Sequence, residues 1–475
     1  MSLVESFDIL KKDCYLCTRW VRVGNKEKKP KNAGLVLLKP ERRSDIFNEF
    51  VSFAHTRIAE QDRMVRDVAR ALERACAGLN DPRKPLGSFL FLGPSGAGKT
   101  LLVQTLAEFL FGDRDGMMRI DGQSFYDKHV VAGLLGSPMG YIGHDDEPRL
   151  TQEKLDKPAF EAIKKDFLEN ISAEKRAEFL KLERELRGLK QKIQALKASK
   201  TIATETITET EEKLRLAEEG VRKSSFPSYD PKGKYLSILL FDEIGRAHQS
   251  LCDVVLRILD EGVVELLSGA ERKKTGSSEP SIVRFKHCFI FATANEGWSE
   301  IAGLLRNQSG ITVKMGFEGS ANTSPDAIDD DIYALCHTAA QKKFGTPFLN
   351  RFRVITAARP LSRKGFERAL DIEISRLQDL LVKEWNLPII LKVSKNARTF
   401  LVNEATDKPE EQARLVGKKL EHHITDKLAA LKLTGQLKDG DVLEVRFRRP
   451  RKLLFYKRNT NNSKRLMLPS PSRVS

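Results

Sequence analysis

An apolar run, Gly87-Ser88-Phe89-Leu90-Phe91-Leu92, leads straight into Gly93-Pro94-Ser95-Gly96-Ala97-Gly98-Lys99-Thr100, and a helical pattern then continues from Lys99 to Phe111. This spacing, GxxxxGK[ST] between a strand and a helix, allows few folds. The glycines let backbone N–H groups turn inward around an anion, and the helix that follows turns its positive end to the same place. Lys99 then reaches the β- and γ-phosphates of a nucleotide, and the Thr100 hydroxyl, with Leu101 beside it, closes on a phosphate-bound Mg²⁺. The segment predicts a nucleotide-binding α/β domain.

Two more short apolar runs, Ser237 to Phe241 and His287 to Ala292, have the length of buried strands. Alternating with helices, they predict a parallel sheet covered on both faces. A helix is expected from Ile58 to Cys76, with Val65, Val68, Ala69 and Leu72 on one face. The first of these runs ends in Asp242-Glu243, where ligands bind in such sheets. Asp242 is expected to hold Mg²⁺ through its water shell, and Glu243 to orient and deprotonate the attacking water. The second leads to Thr293-Ala294-Asn295, whose amide can bind the water or the γ-phosphate. Phe348-Leu349-Asn350-Arg351-Phe352 sets an arginine among apolar neighbours, with Arg353 close by. Gln412-Ala413-Arg414 offers another cation. Helices are expected at Ser362 to Glu384 and Glu411 to Leu433, followed by a strand from Val442 to Phe447.

Between Lys157 and Lys234 the pattern changes. Phe179, Leu182, Leu186, Leu189, Ile193 and Leu196 follow a 3-4 heptad spacing. Ile207, Thr210, Leu214, Ala217 and Val221 repeat it more weakly after a polar break. Two such runs predict an antiparallel coiled-coil hairpin inserted in the α/β domain.

The 475 residues carry a net charge of +16, and the stretch from Arg446 to Ser475 holds ten Lys/Arg with no Asp or Glu. That concentration reads as a basic, disordered tail rather than a charged body. Cys76, Cys252, Cys288 and Cys336 stand alone, as suits a reducing compartment. Cys14 and Cys17 form a single CxxC without the further ligands a zinc site needs. No apolar run approaches the roughly 20 residues needed to span a bilayer. The opening residues lack a secretory pattern, which predicts a cytoplasmic protein without a membrane partner.

In order and wording, these pieces resemble the Clp branch of AAA+ unfoldases, above all the second ATPase ring of the two-ring disaggregases and protease-partner unfoldases. The likeness covers most of 50–448 outside the insertion. It is carried by Gly87 to Pro94, Asp242-Glu243-Ile244-Gly245-Arg246-Ala247-His248, Ile258-Leu259-Asp260-Glu261-Gly262 and Pro347-Phe348-Leu349-Asn350-Arg351. It implies an AAA+ P-loop NTPase fold with a mainly helical small domain containing a short sheet; the coiled-coil hairpin read from the heptad spacing is an insertion with no counterpart in the family. The expected organisation is a leader (1–48), a large ATPase domain (49–357, insertion 157–234), a small lid domain (358–448) and the basic disordered tail (449–475).

The resemblance further implies that Asn295 is sensor 1, Arg351 the arginine finger and Arg414 sensor 2, with Ile58 and Ala59 lining the adenine pocket. Gly140-Tyr141-Ile142-Gly143 aligns with the pore loop that grips unfolded or tagged protein substrates inside a homo-oligomeric, hexameric ring. Met315-Gly316-Phe317 lies where protease-partnered members carry a tripeptide that docks on a peptidase. The sequence departs from the family at Glu60 and Gln412, both commonly glycine, and it holds one ATPase module without the usual N-terminal substrate domain.

Two other classes remain compatible with the sequence. One is a nucleic-acid-associated ATPase of the loader or transposition type, supported by the charge. The absence of a zinc-finger or RNP signature argues against it, as does an aromatic rather than clustered Lys/Arg in the candidate pore loop. The other is a regulatory ATP switch that acts through the coiled coil without threading.

Overall fold

The structure is a computed structural model that describes residues 41–136, 147–198, 204–223, 227, 229–230, 234–267, 281–298, 325–406, 412–449 and 452–458. In chain order its elements begin with α1 (Asp45–His55), α2 (Asp62–Cys76), β1 (Gly87–Leu92), α3 (Lys99–Phe111), β2 (Met118–Asp121) and α4 (Lys128–Leu135). They continue with α5 (Gln152–Asn170), α6 (Ala173–Ala198), α7 (Thr204–Lys223), β3 (Ser237–Asp242), α8 (Gln249–Glu261), β4 (Val263–Glu265), β5 (Ile282–Arg284) and β6 (Cys288–Thr293). The remaining elements are α9 (Pro325–Phe344), α10 (Thr346–Leu349), β7 (Val354–Ala357), α11 (Arg363–Lys383), β8 (Ile390–Val393), α12 (Lys395–Thr406), α13 (Gln412–Leu420), α14 (Asp426–Leu433), β9 (Val442–Arg448) and β10 (Lys452–Arg458).

The main sheet has the order β2-β3-β6-β1-β7, with parallel ladders from Phe89↔Val354 to Leu92↔Ala357 and from Met118↔Leu239 to Asp121↔Asp242. Every residue of β1, β3 and β6 is buried. This is why these strands read as unbroken apolar runs rather than alternating ones. The short β2 and β7 are mixed in burial, and neither stands out in the sequence.

The chain divides into two compact units. One gathers residues 71–88 and 106–291, the other 43–70, 89–105 and 292 onward.

In the first unit, α6 and α7 pack along each other. Phe179 and Ile193 are buried, and Leu182, Leu186, Leu189 and Leu196 are half-buried on a helix otherwise mostly exposed. On α7, Thr210 is buried and Leu214 and Ala217 are half-buried. The 3-4 spacing therefore marks the covered face of α6 and, at Thr210, Leu214 and Ala217, that of α7; the side chains of Ile207 and Val221 lie outside the described residues. α5 joins them through an edge-on Phe167–Phe179 contact at 6.1 Å and a Lys164–Glu183 ion pair.

At the root of α5, Asp156 is fully buried beside a stack of Tyr229 on Tyr235 with Phe160 edge-on to both. Gln152 Nε2 donates to both of its carboxylate oxygens (2.9 and 3.0 Å), and Tyr229 Oη donates to Oδ2 at 3.3 Å. Burial outweighs these hydrogen bonds and pushes the Asp156 carboxyl up to about 7.

The second unit has its own core, in which Leu361, Phe366, Leu370, Leu377, Leu401 and Val445 are buried. A second sheet, β10-β9-β8, lies against it. β8 runs parallel to β9 from Ile390↔Val442, and β10 runs antiparallel to β9 from Lys452↔Arg448 to Arg458↔Val442.

Two expectations are corrected here. The basic stretch after Arg448 is not disordered throughout: Lys452–Arg458 is a strand, because Leu453 and Phe455 pack on the helical core while lysines flank them. The helix expected from Ile58, α2, begins at Asp62, because Glu60 takes a left-handed φ of 55° that interrupts it. The leader and the rest of the tail lie outside the described residues.

Asp156 generates a test. Between about pH 4 and pH 7 the folded chain keeps a proton that the unfolded chain has lost, so stability falls as pH rises through that window and levels off above it. Asp156→Asn removes the ionisable group. It is expected to raise the melting temperature at pH 8, by a few kcal/mol of stability at most, and to have little effect at pH 4. Thermal melts at the two pH values measure this, and an equal change at both refutes the assignment.

Candidate active site

The turn after β1 is built on three glycines with left-handed φ: Gly93 at 114°, Gly96 at 78° and Gly98 at 98°. Gly93 is also pinned by proximity, since a Cβ there would lie 2.9 Å from the Ala358 carbonyl oxygen. Pro94 and Ala97 are buried, while Ser95, Gly96, Gly98, Thr100 and Leu101 are half-buried. The loop delivers Lys99 to the start of α3 with only 6% of its surface exposed.

A buried ammonium needs a partner for each proton, and Lys99 has three. Nζ donates to the Gly93 carbonyl (2.7 Å), the Pro94 carbonyl (2.8 Å) and Asn295 Oδ1 (2.9 Å). Asn295 follows β6, and the Ala294 N–H donates to the Phe91 carbonyl at 2.9 Å. The candidate phosphate lysine and the candidate sensor amide, 196 positions apart in the chain, are thus in direct contact. Ile58 is buried and its Cγ2 would lie 3.7 Å from a Cβ at Gly98, which sets it against the loop. Ala59 is buried with Leu361 and Phe366 in the helical core.

In the other unit, β3 ends at Asp242, which is 4% exposed and accepts a charge-assisted hydrogen bond from Arg119 Nη2 at 2.6 Å. Glu243 adopts a left-handed φ of 54°. Its Oε2 accepts from Gln123 Nε2 at 2.5 Å and pairs with Arg246 Nε at 3.1 Å. Gly122 makes this possible: a Cβ there would fall 2.5 Å from the Glu243 carbonyl oxygen. Arg119 and Gln123 escaped the sequence reading. Neither lies in a recognisable motif, and β2 is too short to stand out.

Arg351 and Arg353 are exposed in the turn between α10 and β7, carried by buried Phe348, Leu349 and Phe352. Arg414 is exposed in the first turn of α13. Gly140-Tyr141-Ile142-Gly143 and Met315-Gly316-Phe317 lie outside the described residues, as does the Cys14/Cys17 pair. Among the described residues no cluster of three or more His, Cys, Asp or Glu could hold a metal, and no helix is long and apolar enough to cross a membrane.

Residues 84–163 and 169–355, more than half of the chain, match the family model described as AAA domain (Cdc48 subfamily). The chain belongs to the AAA domain family. Relatives of this AAA chain include the chaperone protein ClpB of Rhizobium meliloti (strain 1021), 28% identical over 82% of this chain and 32% of the relative. The probable chaperone protein ClpB 1 of Chlorobaculum tepidum is 26% identical over 82% of this chain and 66% of the relative. The ATP-dependent Clp protease ATP-binding subunit ClpC of Staphylococcus aureus (strain USA300) is 27% identical over 82% and 35%. The AAA chain thus spans between a third and two thirds of the lengths of these relatives.

Its fold is shared with two solved structures of Hsp104. The S. cerevisiae Hsp104:casein complex in its extended conformation gives a TM-score of 0.58 at 22% identity, covering 87% of this chain and 53% of that one. A closed-state reconstruction of Hsp104 with ATPγS and FITC casein gives 0.56 at 22%, covering 86% and 51%.

Lys99→Ala in this AAA chain removes the one group that satisfies Gly93, Pro94 and Asn295 together. Titration with a fluorescent ATP analogue is expected to show at least a tenfold loss of affinity, with circular dichroism reporting an intact fold. Unchanged affinity rules out Lys99 as the phosphate ligand.

Proposed function

We propose that this chain is an ATP-hydrolysing protein unfoldase or remodelling chaperone that works as a hexameric ring in the cytoplasm. The observation that carries the reading is the Lys99–Asn295 contact on the glycine turn, in a chain of the AAA family. The names of its relatives, chaperones and a Clp protease subunit, support a protein substrate over a nucleic acid.

In this reading the glycine turn takes the phosphates of ATP and Lys99 exchanges its two carbonyl partners for phosphate oxygens, with Ile58 and Ala59 against the adenine. Mg²⁺ fits the donors on offer. The Thr100 hydroxyl and Asp242 carboxylate are the hard oxygens it takes, and Asp242 already holds a cation, the Arg119 guanidinium. When bound, Mg²⁺ neutralises charge on the β- and γ-phosphates. Glu243 leaves Gln123 and Arg246 to orient water and accept its proton, and Asn295 steadies that water or the γ-phosphate. Arg351 reaches the nucleotide of a neighbouring protomer, an effect worth about 10³–10⁵ in rate in other NTPases. Arg414 answers to the nucleotide within its own protomer.

The Tyr141 loops pull an extended chain through the pore. The helices α6 and α7 form a coiled coil that recruits a substrate or partner, and Met315-Gly316-Phe317 supply a peptidase contact.

Casein-stimulated ATPase and unfolding assays test this. Glu243→Gln is expected to keep ATP binding and lower hydrolysis at least a hundredfold. Tyr141→Ala is expected to hydrolyse ATP within about threefold of wild type yet lose unfolding. A protein that stays a single protomer in saturating Mg·ATP without hydrolysing it refutes the proposal, and stimulation by DNA in place of casein redirects it to a nucleic-acid machine.

A further inference from the structure

The segment that follows β7, Ala358-Arg359-Pro360-Leu361-Ser362, belongs to no helix or strand. It is largely covered: Ala358, Pro360 and Leu361 are buried, and Arg359 and Ser362 are half-buried. Covered backbone N–H groups must find acceptors. The Ala358 N–H donates to the Leu92 carbonyl at 2.8 Å, at the end of the strand that feeds the glycine turn. Pro360 has no N–H. Each of the other three is taken by a different side chain.

Gln61 Oε1 accepts from the Arg359 N–H at 3.0 Å, while Gln61 Nε2 donates to the Arg359 carbonyl at 2.7 Å. Gln412 Oε1 accepts from the Leu361 N–H at 2.7 Å. Glu60 Oε2 accepts from the Ser362 N–H at 2.8 Å, and Oε1 accepts from Ser362 Oγ at 2.5 Å. Ser362 Oγ in turn accepts from the Gly365 N–H at 3.2 Å, capping α11.

Two of these three residues are the ones that stand where the family commonly has glycine, and both keep a glycine-like backbone: φ is 55° at Glu60 and 48° at Gln412. That conformation is unfavourable for a residue that bears a side chain. The side chains that incur the cost are the ones that hold the connector. Gly365 completes the arrangement, because a Cβ there would lie 2.2 Å from Glu60 Oε2. The carboxylate occupies the room that the missing side chain leaves.

The same three residues border the nucleotide elements. Gln61 Cγ would lie 3.9 Å from a Cβ at Gly98. Glu60 follows Ile58 and Ala59. Gln412 is the first residue of α13, two before Arg414.

We propose that Glu60, Gln61 and Gln412 are positioning residues that clasp the connector 359–362, so that the adenine-side segment, the glycine turn and the helix bearing Arg414 move as one piece when nucleotide binds. Glycine at 60 or 412 would offer the connector's amides no side-chain acceptor. In this chain side chains lock the connector, and Gln412 ties it to α13 two residues before Arg414. The inference rests on the ATPase reading above.

The experiment compares wild type with Gln412→Gly, Gln412→Glu, Glu60→Gly and Gly365→Ala in the full chain. It measures steady-state ATP hydrolysis, affinity for a fluorescent ADP analogue, and hydrogen exchange of the amides of 359, 361 and 362 with and without ADP. Gln412→Gly and Glu60→Gly relieve backbone strain but remove the acceptors. Gly365→Ala leaves Glu60 in place and displaces its carboxylate. All three are expected to raise KM for ATP about tenfold with kcat changed less than threefold, to weaken the ADP analogue to match, and to lose the protection that ADP confers on the connector. Gln412→Glu keeps an acceptor and is expected to rescue. In an Arg414→Ala background, Gln412→Gly is expected to add nothing, since both act through one group.

Wild-type affinity and protection in the glycine variants overturn the clasp, as does a Gln412→Gly effect that simply adds to Arg414→Ala. If wild type binds the ADP analogue but does not hydrolyse ATP, the ATPase reading fails while affinity and exchange still decide the clasp. If it binds no nucleotide, both fall.

Discussion

A lysine ammonium with almost no access to water has to be satisfied by the chain around it. Lys99 meets that demand with two carbonyls of its own loop and one amide from the far side of the sequence. The loop around it takes left-handed backbone at Gly93, Gly96 and Gly98, which is why the turn is glycine-rich. The amide contact also explains why a polar residue follows the apolar strand that ends at Thr293. These contacts shape the loop in advance, so the proposed phosphate site would need little reorganisation on binding.

Much of this was legible in the sequence because the relevant residues are local and chemically distinctive. The strands β1, β3 and β6 announce themselves as apolar runs, and the glycine turn and the Asp242-Glu243 pair are contiguous. The face of α6 that the structure covers is the one the heptad spacing marks, and Thr210, Leu214 and Ala217 on α7 follow it. What stayed hidden depends on partners remote in sequence. Arg119 on Asp242, and Gln123 on Glu243, are long-range pairings with no local signal. β10 was masked by its own composition: a stretch dense in Lys and Arg reads as solvated, although Leu453 and Phe455 alternate as a strand requires. The helix expected from Ile58 starts four residues late, because a single backbone angle at Glu60 overrides good helical periodicity.

Among the described residues, four other than glycine have left-handed backbone: Glu60, Glu243, Asn386 and Gln412. Three of them border the candidate nucleotide chemistry. Strain of this kind persists only where surrounding contacts over-determine it, and here those contacts can be named. Gly122 and Gln123 hold Glu243, Ser362 holds Glu60, and Leu361 holds Gln412. The acid expected to handle water and the residues that grip the connector therefore share a design. An unfavourable torsion is retained because it aims a side chain that could not otherwise reach its partner.

The small sheet carries a practical consequence for anyone shortening this protein. β10 hydrogen-bonds along the whole of β9, its Leu453 and Phe455 lie on the helical core, and Lys457 Nζ is tied to Asp441 at 2.6 Å. A version trimmed at Arg449 to discard the cationic end would strip that cover away. It would leave a bare, partly greasy strand edge ready to zip onto another copy. Stopping beyond Arg458 still sheds Lys464, Arg465 and Arg473 and keeps the edge sheathed.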